Sequence, residues 1–442
     1  MKRENGSILI AVTPAPGHVN PMLAIACHLR DRGHSIIFNT AEVFRRQIET
    51  SNLRFVSFEG LANFDYRRLD EAFPERQNFE PGPDQLAHDF KNGFGRTIPD
   101  QYRVIQQVMD QSRIDLILTD TTFMGAFPLL LGPREARPPI IGCGVVPMLL
   151  SSTDTSPLSF PDSSPAGRAR NEQDNRQFQA MFQSVQDDMN AVLNDCGAPA
   201  MPRFFLDCFY TLPDLFLQFT AEAFEYPRSD MPSSIAFVGP IPPQVPANFH
   251  QPPWWKYMDG SKPVVLVTQG TIANTDLTEL IEPTLAALST EDVMVIAATG
   301  RSDGAIATPV PSNAIVTSFV PFSELLPKVD VFVSNGGYGA VNQALSYGVP
   351  VVVAGETEDK AFVAARVAWS GAGVNLGTSR PTPEQVRDAV REVLNGSSYR
   401  AKARALQSNF TRYDALERTT CYVESLLGCE ENSGAIYEYS NT

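Results

Sequence analysis

No run of lysines and arginines occurs in the 442 residues, and the formal net charge is −15. Nucleic-acid surfaces need a basic patch or stripe, so that class of partner is excluded, although an acidic protein still binds a nucleotide locally through backbone amides. No stretch approaches the roughly 20 apolar residues of a membrane helix. The apolar run near the N-terminus, in MKRENGSILIAV, is broken at Thr13-Pro14, too soon for a secretory signal. The six cysteines (Cys27, Cys143, Cys196, Cys208, Cys421 and Cys429) include no CxxC pair. That pattern argues against zinc and suits a reducing, cytoplasmic setting, with Cys27 and Cys143 as buried thiols in apolar stretches. No Asp-x-Asp pair stands out as a metal site.

What is present is enough apolar material for sizeable cores, 43% of residues, in a chain long enough for two domains. Short apolar runs alternate with helical patterns throughout. Ile8 to Val12 reads as a first buried strand, followed by the loop Thr13 to Pro21, a helix from about Pro21 to Arg32 and a second strand at Ser35 to Phe38. That is a βαβ opening, and the loop after its first strand lies at the carboxyl edge, where doubly wound sheets bind ligands. Leu116 to Asp120 is a further strand that ends on a carboxylate. Ser151 to Arg170, rich in Ser, Pro and Asp, reads as a mobile loop. Pro240 to Pro253, with six prolines, marks a linker. A second α/β series begins at Val264, with a helix expected from about Asp276 to Ala287 and strands at Ala314 to Thr317, Val331 to Val333 and Val351 to Val353. The fold class is therefore α/β: two doubly wound, Rossmann-like domains facing across a cleft.

The densest signal is Pro321 to Lys360, PFSELLPKVDVFVSNGGYGAVNQALSYGVPVVVAGETEDK. Its centre reads strand, glycine turn, helix. Glycines let a ligand approach the backbone, and helix-start amides favour an anion, so the local reading is a phosphate cradle. An ordinary strand-to-helix turn is the alternative.

This stretch, with Gly17 to Leu23, Asp120 to Phe123, Phe216 to Pro240, Val267 to Thr271 and Phe319 to Gly373, resembles the family-1, UDP-dependent glycosyltransferases of the GT-B fold. The similarity covers nearly the whole chain, and the TEDK and ARVAWSGAG segments look most like the bacterial and fungal small-molecule glucosyltransferases. The resemblance implies an acceptor-binding domain over 1–239, a linker over 240–260 and a nucleotide-sugar domain over 261–410. A helix and tail would follow over 411–442, open to crossing back to the first domain. It also implies a general base at His18, oriented by Asp120. A hydroxyl attacking C1 of a sugar must lose its proton, and a neutral imidazole held by a carboxylate can take it. The bland alternatives are a helix-capping histidine and an N-cap aspartate.

On the donor side the resemblance places Gly270 and Thr271 on a phosphate and Phe319 against uracil. Val320 would offer backbone groups to the uracil edge, and Gly337, Gly339 and Ala340 would offer amides to the pyrophosphate. Phe319 reads equally as a core aromatic. Three positions depart from the family pattern: Asn335 replaces a His beside the pyrophosphate, Gln343 a Glu on the ribose, and the sugar-binding pair is Asp359-Lys360. Asn335 and Gln343 keep hydrogen bonding without charge, and Lys360 is a pure donor. No cofactor and no metal are expected beyond the UDP-sugar co-substrate, since amides and a helix dipole would stabilise the leaving group. The expected reaction is an inverting transfer, most simply of glucose, to a hydroxyl of a small lipophilic acceptor such as a phenol, flavonoid, polyketide or sterol. Acceptor contacts are sought after Phe58, in Phe90 to Phe94, in Val146 to Leu150 and around Phe178 to Phe182. A nucleotide-sugar epimerase or a non-catalytic nucleotide-sugar-binding protein on the same fold is the alternative. The oligomeric state is left open.

Overall fold

A computed structural model describes residues 5–80, 82–244, 249–270, 274, 276–301 and 306–428. The chain divides into two compact units. The first comprises residues 1–219, 226–239 and 414–442, and the second residues 220–225 and 240–413.

The first unit is built on a seven-stranded parallel sheet. Its strands are β1 (Ser7–Ala11), β2 (Ser35–Thr40), β3 (Arg54–Ser57), β4 (Leu116–Asp120), β5 (Ile140–Gly144), β6 (Leu215–Gln218) and β7 (Ile235–Phe237), in the order β3-β2-β1-β4-β5-β6-β7. The second unit carries β8 (Val264–Thr268), β9 (Met294–Ala298), β10 (Ala314–Thr317), β11 (Val331–Ser334), β12 (Val351–Val353) and β13 (Gly373–Asn375), in the order β10-β9-β8-β11-β12-β13. In both sheets the order reverses beside the first strand. β1 pairs with β2 on one side and β4 on the other, and β8 pairs with β9 and β11. Loops leaving the carboxyl ends of β1 and β4, and of β8 and β11, therefore flank a switch point, the standard ligand position in open α/β sheets.

The strands are apolar on both faces because helices cover both. In the second unit Val264, Leu266, Ile296, Phe332, Val351 and Val353 enter one core cluster, while Val265, Val267, Val295, Val331, Val333 and Val352 enter the other. The described residues of the proline-rich stretch do not stand apart as a linker. Residues 240–260 belong to the second unit, where Trp255 and Met258 are buried in the first of these clusters. Among the described residues no helix is long and apolar enough to cross a membrane.

Three local expectations need correction. The first long helix is Pro16–Asp31, five residues earlier than expected, with Pro16 in its first turn and Pro21 inside it. Pro16 presets helical φ where no N–H partner is needed, and Pro21 forfeits only one bond near the helix start. The helix expected at Asp276 begins only at Ile281. Asp276 accepts from Thr278 N and Oγ1 in a local turn, and Gln269 Oε1 accepts from the backbone of Leu280 and Ile281, satisfying the helix start from outside. The 151–170 segment is tied down by side chains rather than being a free loop. Asn171 donates to the carbonyls of Thr153 and Asp162, and Asn175 to those of Ser152 and Thr155. A helix capped by Ser164 already starts at Pro165.

Candidate active site and nucleotide-sugar site

In the first unit the end of β4 faces the start of the Pro16–Asp31 helix. His18 sits in that helix's first turn, not in the preceding loop. Its Nδ1 lies 2.7 Å from Asp120 Oδ2, with the imidazole 15% exposed and the carboxylate wholly buried. Asp120 is held by more than the histidine. Its Oδ1 accepts from Thr13 N at 2.6 Å, and its Oδ2 accepts from Thr122 N and Thr122 Oγ1 at 3.1 and 3.0 Å. Asp120 therefore closes a turn onto Thr122 and a tie to β1, whereas the short helix that follows is capped at Phe123. The N-cap alternative for Asp120 does not hold. Thr122, which sequence reasoning missed, also lies 3.3 Å from His18 Nδ1. A hydroxyl two residues after a strand-end aspartate was the available signal.

The electrostatics fix the histidine's tautomer. Burial pushes the Asp120 carboxyl up, but the charge and hydrogen bond of His18, the Thr13 amide and the Thr122 hydroxyl outweigh it, and the net shift is below the ordinary carboxylate value. An ionised Asp120 accepts at Nδ1, so the proton of neutral His18 sits on Nδ1 and the basic lone pair on Nε2. A stability consequence follows. An Asp120 carboxyl with a depressed folded pKa stabilises the fold above the unfolded pKa of about 4 and loses that contribution as pH falls through the folded value. Thermal unfolding of wild type and Asp120→Asn should therefore differ most above about pH 4 and converge on acidification; a gap that widens in acid would contradict the assignment.

In the second unit the loops after β8 and β11 meet. Gly270 adopts φ +72° two residues past the end of β8, and its carbonyl accepts from Asn274 Nδ2 at 3.1 Å. Thr271 lies outside the described residues. Asn335, following β11, donates from Nδ2 to the Gln269 carbonyl, which bridges the two strand ends at the switch point. Gly336 turns the chain at φ +92°, and Gly337 caps the helix Tyr338–Ser346. That helix has no side-chain cap and no acidic residue in its first turn. A Cβ on Gly337 or Gly339 would meet nothing within 4 Å, so there is open space beside the start of this helix, as an anion cradle would require.

The remaining donor-side residues divide. Phe319, just past β10, is 75% exposed, which removes the core-aromatic alternative. Val320 beside it buries its side chain in the core. Gln343 reaches back to the Ile241 carbonyl at 3.5 Å. Asp359 occupies the N-cap position of the helix Lys360–Ser370. Lys360 differs from a donor aimed at a sugar. It is buried, with its ammonium held by Glu358 and 3.0 Å from Thr357 Oγ1, and Glu358 itself sits at φ +56°. Sequence reasoning also missed Gly355. A Cβ there would lie 1.9 Å from the Asn335 carbonyl oxygen, so the loop after β12 packs directly on the backbone of the turn that follows β11.

Residues 282–413 match the family model described as "Erythromycin biosynthesis protein CIII-like, C-terminal domain". The chain is 36% identical over 434 residues to UDP-glycosyltransferase 2 of Phaeomoniella chlamydospora, with 95% of each chain covered. It belongs to the UDP-glycosyltransferase family. UDP-glucosyltransferase B1 of Starmerella bombicola is 32% identical, covering 94% of this chain and 98% of the relative. The solved structure of CalG4, the calicheamicin glycosyltransferase, superposes with a TM-score of 0.73 at 20% identity, over 97% of this chain and 99% of that one. The family's two parallel-sheet α/β units are those of the GT-B fold, and its activity is transfer of a sugar from a nucleotide sugar. These relatives are named as transferases, and the epimerase and accessory-protein alternatives gain no support from them.

Proposed function

We propose that this glycosyltransferase moves glucose from UDP-glucose to a hydroxyl of a small lipophilic acceptor with inversion at C1, in a cytoplasmic setting. The observation that carries the reading is the His18–Asp120 pair at the switch point of the first sheet, with Nδ1 committed to a buried carboxylate. The Nε2 lone pair takes the acceptor proton as the oxygen attacks C1, the C1–O bond to the diphosphate breaks, and Asp120 stabilises the imidazolium that forms. The leaving diphosphate is met by the amides at the start of the Tyr338–Ser346 helix and by its dipole, and no metal is invoked. Glucose is favoured because the Starmerella relative is named a glucosyltransferase.

A small natural-product acceptor is favoured by the names of the family model and of the calicheamicin enzyme. The aromatic richness of the first unit gives less support than the sequence implied. Phe90, Phe94, Phe178, Phe182 and Phe205 are buried against one another in tilted and edge-on contacts and form core. Leu61, Leu158 and Phe160, exposed in the segments that follow β3 and β5, are the better acceptor candidates.

A mass-spectrometric screen of several UDP-sugars against a mixed acceptor library tests the proposal. A hexose adduct formed only with UDP-glucose and a lipophilic hydroxyl compound is the expected result. Transfer confined to sugars or proteins, or UDP release independent of any acceptor, would sink it. On the donor side, Phe319→Ala should raise the UDP-glucose KM by roughly 5- to 150-fold, the scale of about 1–3 kcal/mol for one base stacked on an aromatic ring. Its melting temperature should not move, since the ring is 75% exposed; an unchanged KM would remove the stacking role.

A further inference from the structure

Residues 220–225 belong to the second unit, although the chain on both sides of them belongs to the first. The segment is seated by apolar and polar contacts together. Ala221 and Phe224 are buried in the core cluster that includes Tyr338, Val341, Val363 and Val367. Thr220 Oγ1 donates to Asn342 Oδ1 at 2.6 Å, and Asn342 Nδ2 donates in turn to the Tyr338 carbonyl at 3.0 Å. At the other end Glu225 Oε1 lies 2.5 Å from Arg366 Nε and also contacts its Nη2, while Arg366 Nη1 donates to the Phe362 carbonyl at 3.1 Å. Thr220, Glu225, Asn342 and Arg366 are each no more than 2% exposed.

The two relays have the same form. A residue of the segment grips a mid-helix side chain, and that side chain grips a first-turn carbonyl of its own helix. The two helices are Tyr338–Ser346, whose first turn carries Gly339 and Ala340, and Lys360–Ser370, which is capped by Asp359. Burying a charge pair is a poor way to gain stability, since apolar residues of similar size often do as well or better. A buried pair does fix geometry, because only one arrangement satisfies it. We propose that residues 220–225 are a positioning strap for the donor site. Thr220 through Asn342, and Glu225 through Arg366, set the starts of both helices against the nucleotide sugar. The strap rests on the donor-site reading given above.

The test compares Thr220→Val, Thr220→Ser and the charge-free pair Glu225→Leu with Arg366→Met, using UDP-glucose as donor and the best acceptor from the screen. Thr220→Val should raise the UDP-glucose KM by about 2- to 10-fold, the scale of one buried hydrogen bond. Thr220→Ser should restore it. The double variant should raise it further, by about 10-fold or more, because it removes two charge-assisted contacts, those of Glu225 with Arg366 Nε and Nη2, rather than one neutral hydrogen bond. The acceptor KM should stay at the wild-type value in all three. A lowered melting temperature with the donor KM unchanged in Thr220→Val would make the strap purely structural and overturn the proposal. Wild-type protein that neither binds nor uses any UDP-sugar would overturn the donor reading, and the strap with it.

Discussion

Replacing His18 by alanine should lower kcat by roughly 10²- to 10⁴-fold, the range of one positioned general base. The fold should survive, because the buried Asp120 keeps its bonds from Thr13 N, Thr122 N and Thr122 Oγ1 when the imidazole is gone. The sharper variant is Asp120→Asn. Its amide can place an oxygen where Oδ1 now accepts from Thr13 N, or where Oδ2 accepts from Thr122 N, but not both. With the oxygen kept on Thr13, the NH₂ group faces His18 Nδ1 and donates to it. That moves the ring proton to Nε2, the atom that must be unprotonated to act as base. A loss on the order of 10²- to 10⁴-fold is expected again, now with the imidazole still present. Nitrogen-15 chemical shifts of His18 would report the change of tautomer. Turnover near wild type in either variant would show that the proton goes elsewhere.

The second large effect contrasts two kinds of glycine. A methyl group on Gly355 would fall 1.9 Å from the Asn335 carbonyl oxygen and 2.9 Å from its carbon, and both are backbone atoms that cannot rotate away. Overpacking of this kind costs about 1–3 kcal/mol, or roughly 3–10 °C in melting temperature for a unit of this size. It also pushes the cradle out of place, so Gly355→Ala should lose UDP affinity and stability together. A methyl group on Gly339 meets nothing within 4 Å and occupies a helix position where alanine is favoured over glycine by about 0.5–1 kcal/mol. Gly339→Ala should therefore keep or raise the melting temperature and weaken only UDP binding. Calorimetric titration with UDP, beside thermal unfolding, separates the two. Equal UDP affinity for wild type and Gly339→Ala would mean that the open space over the helix start is not where the diphosphate sits.

Some of this was legible in the sequence, for identifiable reasons. Leu116–Asp120, Ala314–Thr317 and Val351–Val353 match the expected strands residue for residue, because continuous apolar runs bounded by turn-forming residues leave little freedom of placement. Helix starts were less legible. Pro21 looked like a first helical residue, but Pro16 is the one that takes that place. The Ile281 start is set by Gln269, a residue twelve positions away. Topology placed His18 near the carboxyl edge of β1 and Asp120 at the end of β4, but their pairing was implied by the family resemblance rather than by the strand pattern. Side-chain surroundings followed from neither. Nothing local distinguishes an exposed Phe319 from a core ring, or shows that the Lys360 ammonium is engaged by Glu358. Gly355 stood after an apolar strand as glycines often do, and only the neighbouring loop's backbone makes it irreplaceable.

The chain's path has a consequence for the order of folding. The helix Ala415–Leu426 belongs to the first unit, where Glu417 faces His28 and Arg32 of the Pro16–Asp31 helix region and Leu427 packs over Gly6. The second unit has all its residues by position 413. On a ribosome, the unit begun first is therefore completed last. The helix that carries His18 waits with an uncovered flank until residues 415–426 have been synthesised, after the second unit is already complete, reversing the usual amino-to-carboxyl order in which domains finish.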